Sequence, residues 1–310
     1  MTDPTPTAPD RRLHTRFCDL VGVRHPIVQT GMGWVAGSRL TAATARAGGL
    51  GIIAAAPMTF DQMVTAIDEV RAATTEPFGV NLRSDAGDID RRVEHLITAE
   101  VRVASFAQAP NRRTVDRLQS AGVVVIPTIG ARRHAEKVAE WGVDAVIAQG
   151  AEGGGHTGVV PTSLLIGEVL DAIDLPVIVA GGFTDGRGLA AALVWGADAV
   201  AMGTRFLLTS DSDVPDSIKA IYLATPVTGT VVTRAVDGAP QRVVATPMVQ
   251  RLERSRLLAF PRAAANALRF RSLTGTPMRE LLAEGLRMKR TGGLTWGQVA
   301  MAANAPMLTR

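Results

Sequence analysis

The chain has 310 residues, 46% of them hydrophobic and 20% charged, with one cysteine and a net charge of +4. That length buries a large core and suits one large α/β barrel or two ordinary domains; the composition excludes a disordered chain. Cys18 has no partner for an internal disulfide, which points to a reducing compartment, and a lone cysteine is ordinarily a small buried hydrophobe. No run reaches the roughly 18 apolar residues of a membrane helix. The opening MTDPTPTAPDRR is polar, lacks the apolar core of a signal peptide, and reads as a loose lead-in to a cytoplasmic protein. Charge is uneven: residues 251–310 carry +8 and the remainder −4. A basic tail suits either a phosphate-bearing partner or a solvated helical surface, and no nucleic-acid-binding motif accompanies it.

Short, nearly continuous apolar runs punctuate the chain from residue 26. They are PIVQ (26–29), LGIIAAA (50–56), FGVNL (78–82), VRVASFA (101–107), VVVIPTI (123–129), AVIAQG (145–150), PVIVAGG (176–182) and AVAMGT (199–204). Runs of this kind are strands covered on both faces by helices. Between them, SRLTAATARAGG predicts a helix with Ser38 as N-cap and a glycine stop at Gly48 and Gly49. Thr59 and Gln62 predict a capping box ahead of MVTAIDEVRAA. The helix ends repeat one another: ARAGGLGII, LQSAGVVVI, AEWGVDAVI and LVWGADAVA all run helix, glycine, strand. Trp141 and Trp195 open matching segments 54 residues apart, two βα units.

Eight βα units predict a (β/α)₈ TIM barrel over residues 24–208, preceded by an arm at 1–23. An open doubly wound sheet is the alternative. From residue 209 to 310 the rhythm gives way to a mostly helical extension or lid: VPDSIKAIYLA, TPMVQRLERSRLLAFPRAAANALRF, MRELLAEGLRMKR and TWGQVAMAANAPML. TPVTGTVVTRAVDGAPQRVVAT, within it, is β-rich and reads as a hairpin or extended loop.

A βα barrel carries its active site at the C-terminal ends of the strands. There this chain places TGMGW (30–34), Asn81, Gln149 with GAEGGGHTG (150–158), GGFTDGRG (181–188) and MGTRF (202–206). Gly181, Gly182, Gly203 and Thr204 follow the seventh and eighth strands, where bare backbone N–H groups hold phosphate in many barrels. Of the five histidines, His156 alone lies in a rim loop beside glycines, which marks it as the candidate for chemistry. No Walker A loop, dinucleotide fingerprint, HExxH metal motif or GxSxG elbow occurs, so no metal site is expected.

The segments QTGMGWVAG, AGGLGIIAA, FGVNL, VIAQGAEGGGHTG, PVIVAGGFTDGRGLAAAL and GADAVAMGTRFLLT together resemble the nitronate monooxygenase (2-nitropropane dioxygenase-like) family, in order from Arg24 to Ser210. That family is similar to the flavin-dependent enoyl-ACP reductases, and its members are FMN-binding TIM barrels. The resemblance implies an FMN-dependent oxidoreductase acting on a carbon acid beside an electron-withdrawing group. It places Gly31, Met32 and Gly33 against the flavin ring, and Asn81 and Gln149 as its hydrogen-bonding side chains. Gly154, Gly155 and Met202 then line the cofactor, and Gly181, Gly182, Gly203 and Thr204 cradle the FMN phosphate. His156 matches the active-site histidine, acting as general base or acid.

Beyond the barrel, LLTSDSDVPDSIKAIYLA, VDGAPQRVV and LTWGQVAMAANAPML resemble an actinobacterial branch of the family. That branch contains an acyl-CoA dehydrogenase of steroid-ring catabolism that passes electrons to NAD, so NAD(P)H is an expected co-substrate and a coenzyme A thioester an expected substrate. Arg251, Arg254 and Arg256 are candidates for its phosphates. Members of that branch continue beyond a PML segment, so a further C-terminal piece is expected. Oxidation of alkyl nitronates with O₂ stays open, as does a barrel that binds a phosphorylated ligand without turnover. No membrane or nucleic-acid partner is expected, and a homodimer is compatible with the family.

Overall fold

The computed structural model describes residues 13–235 and 239–254. The chain opens with α1 (Arg16–Val21), β1 (Ile27–Gln29), α2 (Ser38–Arg46), β2 (Leu50–Ala54), α3 (Phe60–Ala73), β3 (Phe78–Leu82) and α4 (Ile89–Thr98). It continues through β4 (Val103–Phe106), α5 (Arg112–Ser120), β5 (Val124–Ile129), α6 (Arg132–Glu140) and β6 (Val146–Gln149). A two-residue strand, β7 (Gly155–His156), then precedes α7 (Thr162–Leu170), β8 (Val177–Ala180), α8 (Gly186–Val194), β9 (Ala199–Met202) and α9 (Thr204–Leu207). The described chain closes with α10 (Asp216–Ala224), β10 (Thr230–Thr233), β11 (Gln241–Val244) and α11 (Pro247–Arg254). Calpha contacts divide these elements into two units: one holds the chain through Gly153 with Gly158–Val214, the other Gly154–Thr157 with the chain from Pro215.

In the first unit, eight parallel strands close in the order β1-β2-β3-β4-β5-β6-β8-β9. Closure is made by β9 against β1, with Ile27 opposite Val200, Val28 opposite Ala201 and Gln29 opposite Met202. That pairing decides for the TIM barrel over the open sheet. Alternation along each strand sorts side chains into two cores. Val28, Leu50, Ile52, Val103, Ile126, Ile147 and Ile178 fill the barrel, whereas Ile53, Val80, Val125, Val146, Val179 and Val200 face the helices.

Helix α1 adds Phe17, Cys18 and Val21 to the inner core, so Cys18 is a buried apolar residue. It is pinned by Asp198, whose carboxylate accepts from the Arg16 guanidinium at 3.1 Å and from Val177 N at 3.0 Å. Asp198 immediately precedes β9, so α1 closes the N-terminal end of the barrel and leaves the opposite end for the loops.

Local capping follows the chain chemistry in part. Thr59 and Gln62 form the expected reciprocal capping box on α3. On α2 the N-cap is Gly37, not Ser38 as expected from sequence. Ser38 lies one residue inside, where its hydroxyl donates to Glu69 on the neighbouring helix instead of folding back on its own backbone. Gly48 supplies the left-handed stop of that helix at φ +90°.

The second unit contains a three-stranded antiparallel sheet in the order β10-β11-β7, with α10 and α11. The segment TPVTGTVVTRAVDGAPQRVVAT (225–246) supplies β10 and β11. MRELLAEGLRMKR, TWGQVAMAANAPML and the end of TPMVQRLERSRLLAFPRAAANALRF lie outside the described residues, as do Arg256 and the side chains of Arg251 and Arg254.

Candidate functional site

Because the barrel strands are parallel, the loops after β1, β3, β6, β8 and β9 emerge at one end. After β1, the backbone turns tightly: Met32 N donates to Thr30 O, and Val35 and Ala36 N both donate to Met32 O. Thr30 N donates to Met202 O at 3.2 Å, tying this turn to the end of β9. Gly31 is required by close approach, since a methyl there would sit 2.5 Å from the Asn81 Cβ. Asn81 is buried and its Nδ2 donates to the Ser105 hydroxyl at 3.3 Å. A methyl at Gly203 would meet Met32 Sδ and Thr30 Oγ1 at 3.4 Å. Gly31, Met32, Asn81 and Gly203 are thus one contiguous group on the rim. Met202 contributes its carbonyl there, while its side chain packs in the outer core.

The loop after β2 supports that group from behind. Buried Arg92 donates from Nη1 to Ala55 O at 3.0 Å and from Nη2 to Met58 O at 2.7 Å, and its Nε bonds Asp88. Pro57, between those two carbonyls, is the side chain that a methyl at Gly33 would meet at 3.8 Å. A buried guanidinium with several paired donors holds an irregular loop in one shape.

A second contiguous group forms after β6 and β8. Glu152 caps α7 from ten residues upstream: its Oε2 accepts from Thr162 N at 2.8 Å and from the Thr162 hydroxyl at 2.6 Å. Gly181 and Gly182 have φ of +108° and +83°, a left-handed pair that side chains disfavour. A methyl at Gly181 would stand 2.8 Å from Thr162 Oγ1 and 3.0 Å from Gly153 N. A methyl at Gly153 would meet the Gln149 amide at 2.7 Å. Gln149, Gly153, Gly181 and Thr162 therefore interlock with almost no spare volume.

The N-terminus of α8 is already engaged. The Asp185 carboxylate accepts from Arg187 N at 3.0 Å and Gly188 N at 3.3 Å, and the Arg187 guanidinium forks onto it. Arg187, with help from the Gly188 N–H, holds the Asp185 carboxyl below the usual carboxylate range. The turn after β8 holds Gly181 and Gly182, and Gly203 precedes Thr204, the first residue of α9.

Gly154, Gly155 and His156 belong to the second unit. Gly155 takes φ +74° and pairs with Arg242, while His156 pairs with Gln241. Thr157 N donates to Pro240 O at 3.1 Å, completing the edge of the sheet. The His156 ring is exposed, and its Nε2 lies 3.1 Å from the Nε2 of fully buried Gln241. Sequence reasoning passed over Glu152, Arg92 and Gln241. Thr162 for Glu152, Ala55 and Met58 for Arg92, and His156 for Gln241 lie ten or more residues away, beyond any local capping or turn pattern. Among the described residues no group of three or more His, Cys, Asp or Glu could hold a metal ion, and no helix is long and apolar enough to cross a membrane.

A closed βα barrel whose strand-end loops are built on glycine turns is a TIM barrel with its candidate site at the C-terminal ends of the strands. The chain belongs to the nitronate monooxygenase family, whose model matches residues 14–90 and 85–307. It is an oxidoreductase of a flavin-dependent family. A relative from Mycobacterium tuberculosis (strain ATCC 25618 / H37Rv) is 57% identical over 303 residues, covering 96% of this chain and 85% of its own. One from Rhodococcus jostii (strain RHA1) is 56% identical over 299 residues, with the same coverage. Both are named (3aS,4S,5R,7aS)-5-hydroxy-7a-methyl-1-oxo-octahydro-1H-indene-4-carboxyl-CoA dehydrogenase. Among solved structures, FabK from Thermotoga maritima superposes with a TM-score of 0.77 at 39% identity, over 83% of this chain and 84% of that one. Nitroalkane oxidase from Streptomyces ansochromogenes gives 0.70 at 33%, over 76% and 80%.

Proposed function

We propose that the protein is an FMN-dependent acyl-CoA dehydrogenase or reductase of steroid-ring catabolism, acting on a hydroindane carboxyl-CoA thioester and exchanging electrons with NAD. The observation that carries this reading is the 56–57% identity to the two actinobacterial dehydrogenases across 96% of the chain. The rim supports FMN as the flavin. Gly181, Gly182 and Gly203 present backbone at positions where a Cβ would be strained or crowded, as a phosphate cradle needs. Gly31 and Gly33 keep the turn after β1 flat for an aromatic ring system, and Asn81 and Gln149 supply amide groups for its polar edge. Bound FMN supplies hydride chemistry that no side chain of the protein offers.

The chain's own task is to hold the substrate and move one proton. His156 takes the proton from the carbon next to the ring ketone, and returns it in the reverse direction. Tail arginines 251, 254 and 256 are assigned to the phosphates of coenzyme A. A cytoplasmic location, a homodimer, and the division into an arm at 1–23, a barrel at 24–208 and an extension at 209–310 complete the proposal.

Oxidation of alkyl nitronates is the second reading, favoured by the family description and by the nitroalkane oxidase likeness. Anaerobic mixing separates the two. Bleaching of the flavin by a ring-ketone acyl-CoA or by NADH, but not by propionate 3-nitronate, supports the dehydrogenase. Bleaching by the nitronate alone overturns it in favour of the monooxygenase. A purified protein that binds no flavin overturns both.

A further inference from the structure

Met32–Val35, in the segment after β1, is a four-residue turn closed by Val35 N, which donates to Met32 O at 3.0 Å. Its third residue, Trp34, has φ +65°, a left-handed backbone that turns ordinarily give to glycine or asparagine. Gly33, one position earlier, is not left-handed, so the strain falls on the tryptophan and not on the glycine beside it. Among the described residues the other non-glycine with positive φ is Glu100, at +50°. There the cause is local: Glu100 follows the end of α4, where Val101 N returns to Leu96 O at 3.0 Å, an ordinary left-handed helix stop. Trp34 lies between β1 and α2 and stops no helix. Its turn is nonetheless held firmly. Thr30 N is bonded to Met202 O, Ala54 N donates to Ala36 O at 2.9 Å, and Val35 and Ala36 are buried. On that support the indole is 50% exposed, at the end of the barrel where the strand-end loops gather.

We propose that Trp34 is a substrate-binding residue that sets specificity, its indole forming the surface on which the saturated fused rings of the acyl group pack. This rests on the reading of the substrate as a hydroindane carboxyl-CoA thioester. Such rings carry no charge and no π-face, so a protein holds them through apolar area. An indole offers a large, flat apolar surface for that purpose. Exposed apolar residues are common and by themselves mean little. Trp34 differs because the chain keeps it at a cost in backbone strain, and strain of this kind persists where the surrounding structure imposes it and a function uses it. Glycine at this position would relieve the strain and make the same turn. The ring, not the turn, is therefore what the residue contributes. A ring carried on a pinned turn also loses little freedom when a ligand packs on it, which favours binding.

The test titrates the flavin absorbance of the flavin-loaded full chain with three ligands: the hydroindane carboxyl-CoA thioester, butyryl-CoA and free coenzyme A. Trp34→Gly removes the ring and suits the left-handed backbone. Trp34→Asn also removes the ring and is tolerated there, so it decides if the glycine variant fails to fold. In both, the hydroindane thioester should bind about tenfold more weakly, while the affinities for butyryl-CoA and coenzyme A stay within about threefold and flavin content is unchanged. Trp34→Phe, which keeps an aromatic face, should hold the thioester within about threefold of wild type. Equal weakening for all three ligands places the contact on the coenzyme A portion and overturns the assignment. Loss of flavin from both ring-less variants makes Trp34 part of the cofactor site and overturns it as well, as does a thioester affinity that neither variant changes. If the thioester leaves the wild-type flavin unperturbed while propionate 3-nitronate bleaches it, the dehydrogenase reading itself fails, and the assignment of Trp34 fails with it.

Discussion

Gly181→Ala is a stringent test of the rim. Two costs add at this position. The backbone sits at φ +108°, where a residue with a Cβ is strained by about 1–3 kcal/mol. The new methyl would also lie 2.8 Å from Thr162 Oγ1, 3.0 Å from Gly153 N and 3.2 Å from Gly150 O, and overpacking of this kind costs roughly 1–3 kcal/mol. The lower entropy of the unfolded alanine chain returns only about 0.4–1 kcal/mol. A net loss of roughly 2–4 kcal/mol follows, which lowers Tm by about 5–15 °C for a unit of this size. Two of the three crowded atoms are backbone of the loop after β6, so relief of the clash displaces the turn itself and weakens flavin retention by at least tenfold. Gly186→Ala is the control: it lies in the same segment, a methyl there meets nothing within 4 Å, and its φ is not left-handed. Differential scanning fluorimetry and flavin absorbance on both variants make the comparison. A Gly181→Ala protein that melts within 2 °C of Gly186→Ala and keeps its flavin refutes the reasoning.

Phe17→Ala, which empties a fully buried site in the inner core, should cost about 3–5 kcal/mol in urea unfolding; a loss under 1 kcal/mol means α1 does not close the barrel. Arg92→Met strands two loop carbonyls and should cost roughly 3 kcal/mol while lowering flavin affinity, measured by equilibrium dialysis. An unchanged affinity refutes its support of the β1 turn. Tyr222 is the chain's sole tyrosine, and burial pushes its phenol above the ordinary value. The stability it contributes is present below the ordinary phenol pKa and is lost as pH rises through the raised folded value. In ultraviolet absorbance titration, the ionisation step of the native protein should come at higher pH than in urea; coincident steps rule out the burial.

The strand runs, the glycine after each helix and the capping box at Thr59 were legible in the residues because each is a near-neighbour effect. Periodicity and turn chemistry act within a few positions of the chain. The glycines of the rim were legible for the same reason: Gly181 and Gly182 punctuate the end of an apolar run wherever that run is placed. Even local chemistry had a rival at Ser38, where a neighbouring helix offered Glu69 and the cap passed to Gly37.

The count of eight βα units predicted a closed barrel, and the structure has one, but the residues that make the closure, β9 against β1 across some 170 positions, were not legible, because an open sheet uses the same runs. Nor was the support behind the rim. Glu152 caps a helix ten residues on, and Arg92 binds carbonyls more than thirty residues earlier. His156 stood out by its glycines, but its partner Gln241 lies 85 residues away on a strand that pairs with it only in the folded sheet. Side-chain type and local spacing therefore identify the groups available for chemistry. Which nitrogen, carbonyl or carboxylate each one meets is decided by long-range strand pairing and helix packing, which bring together atoms that no local rule of the chain connects.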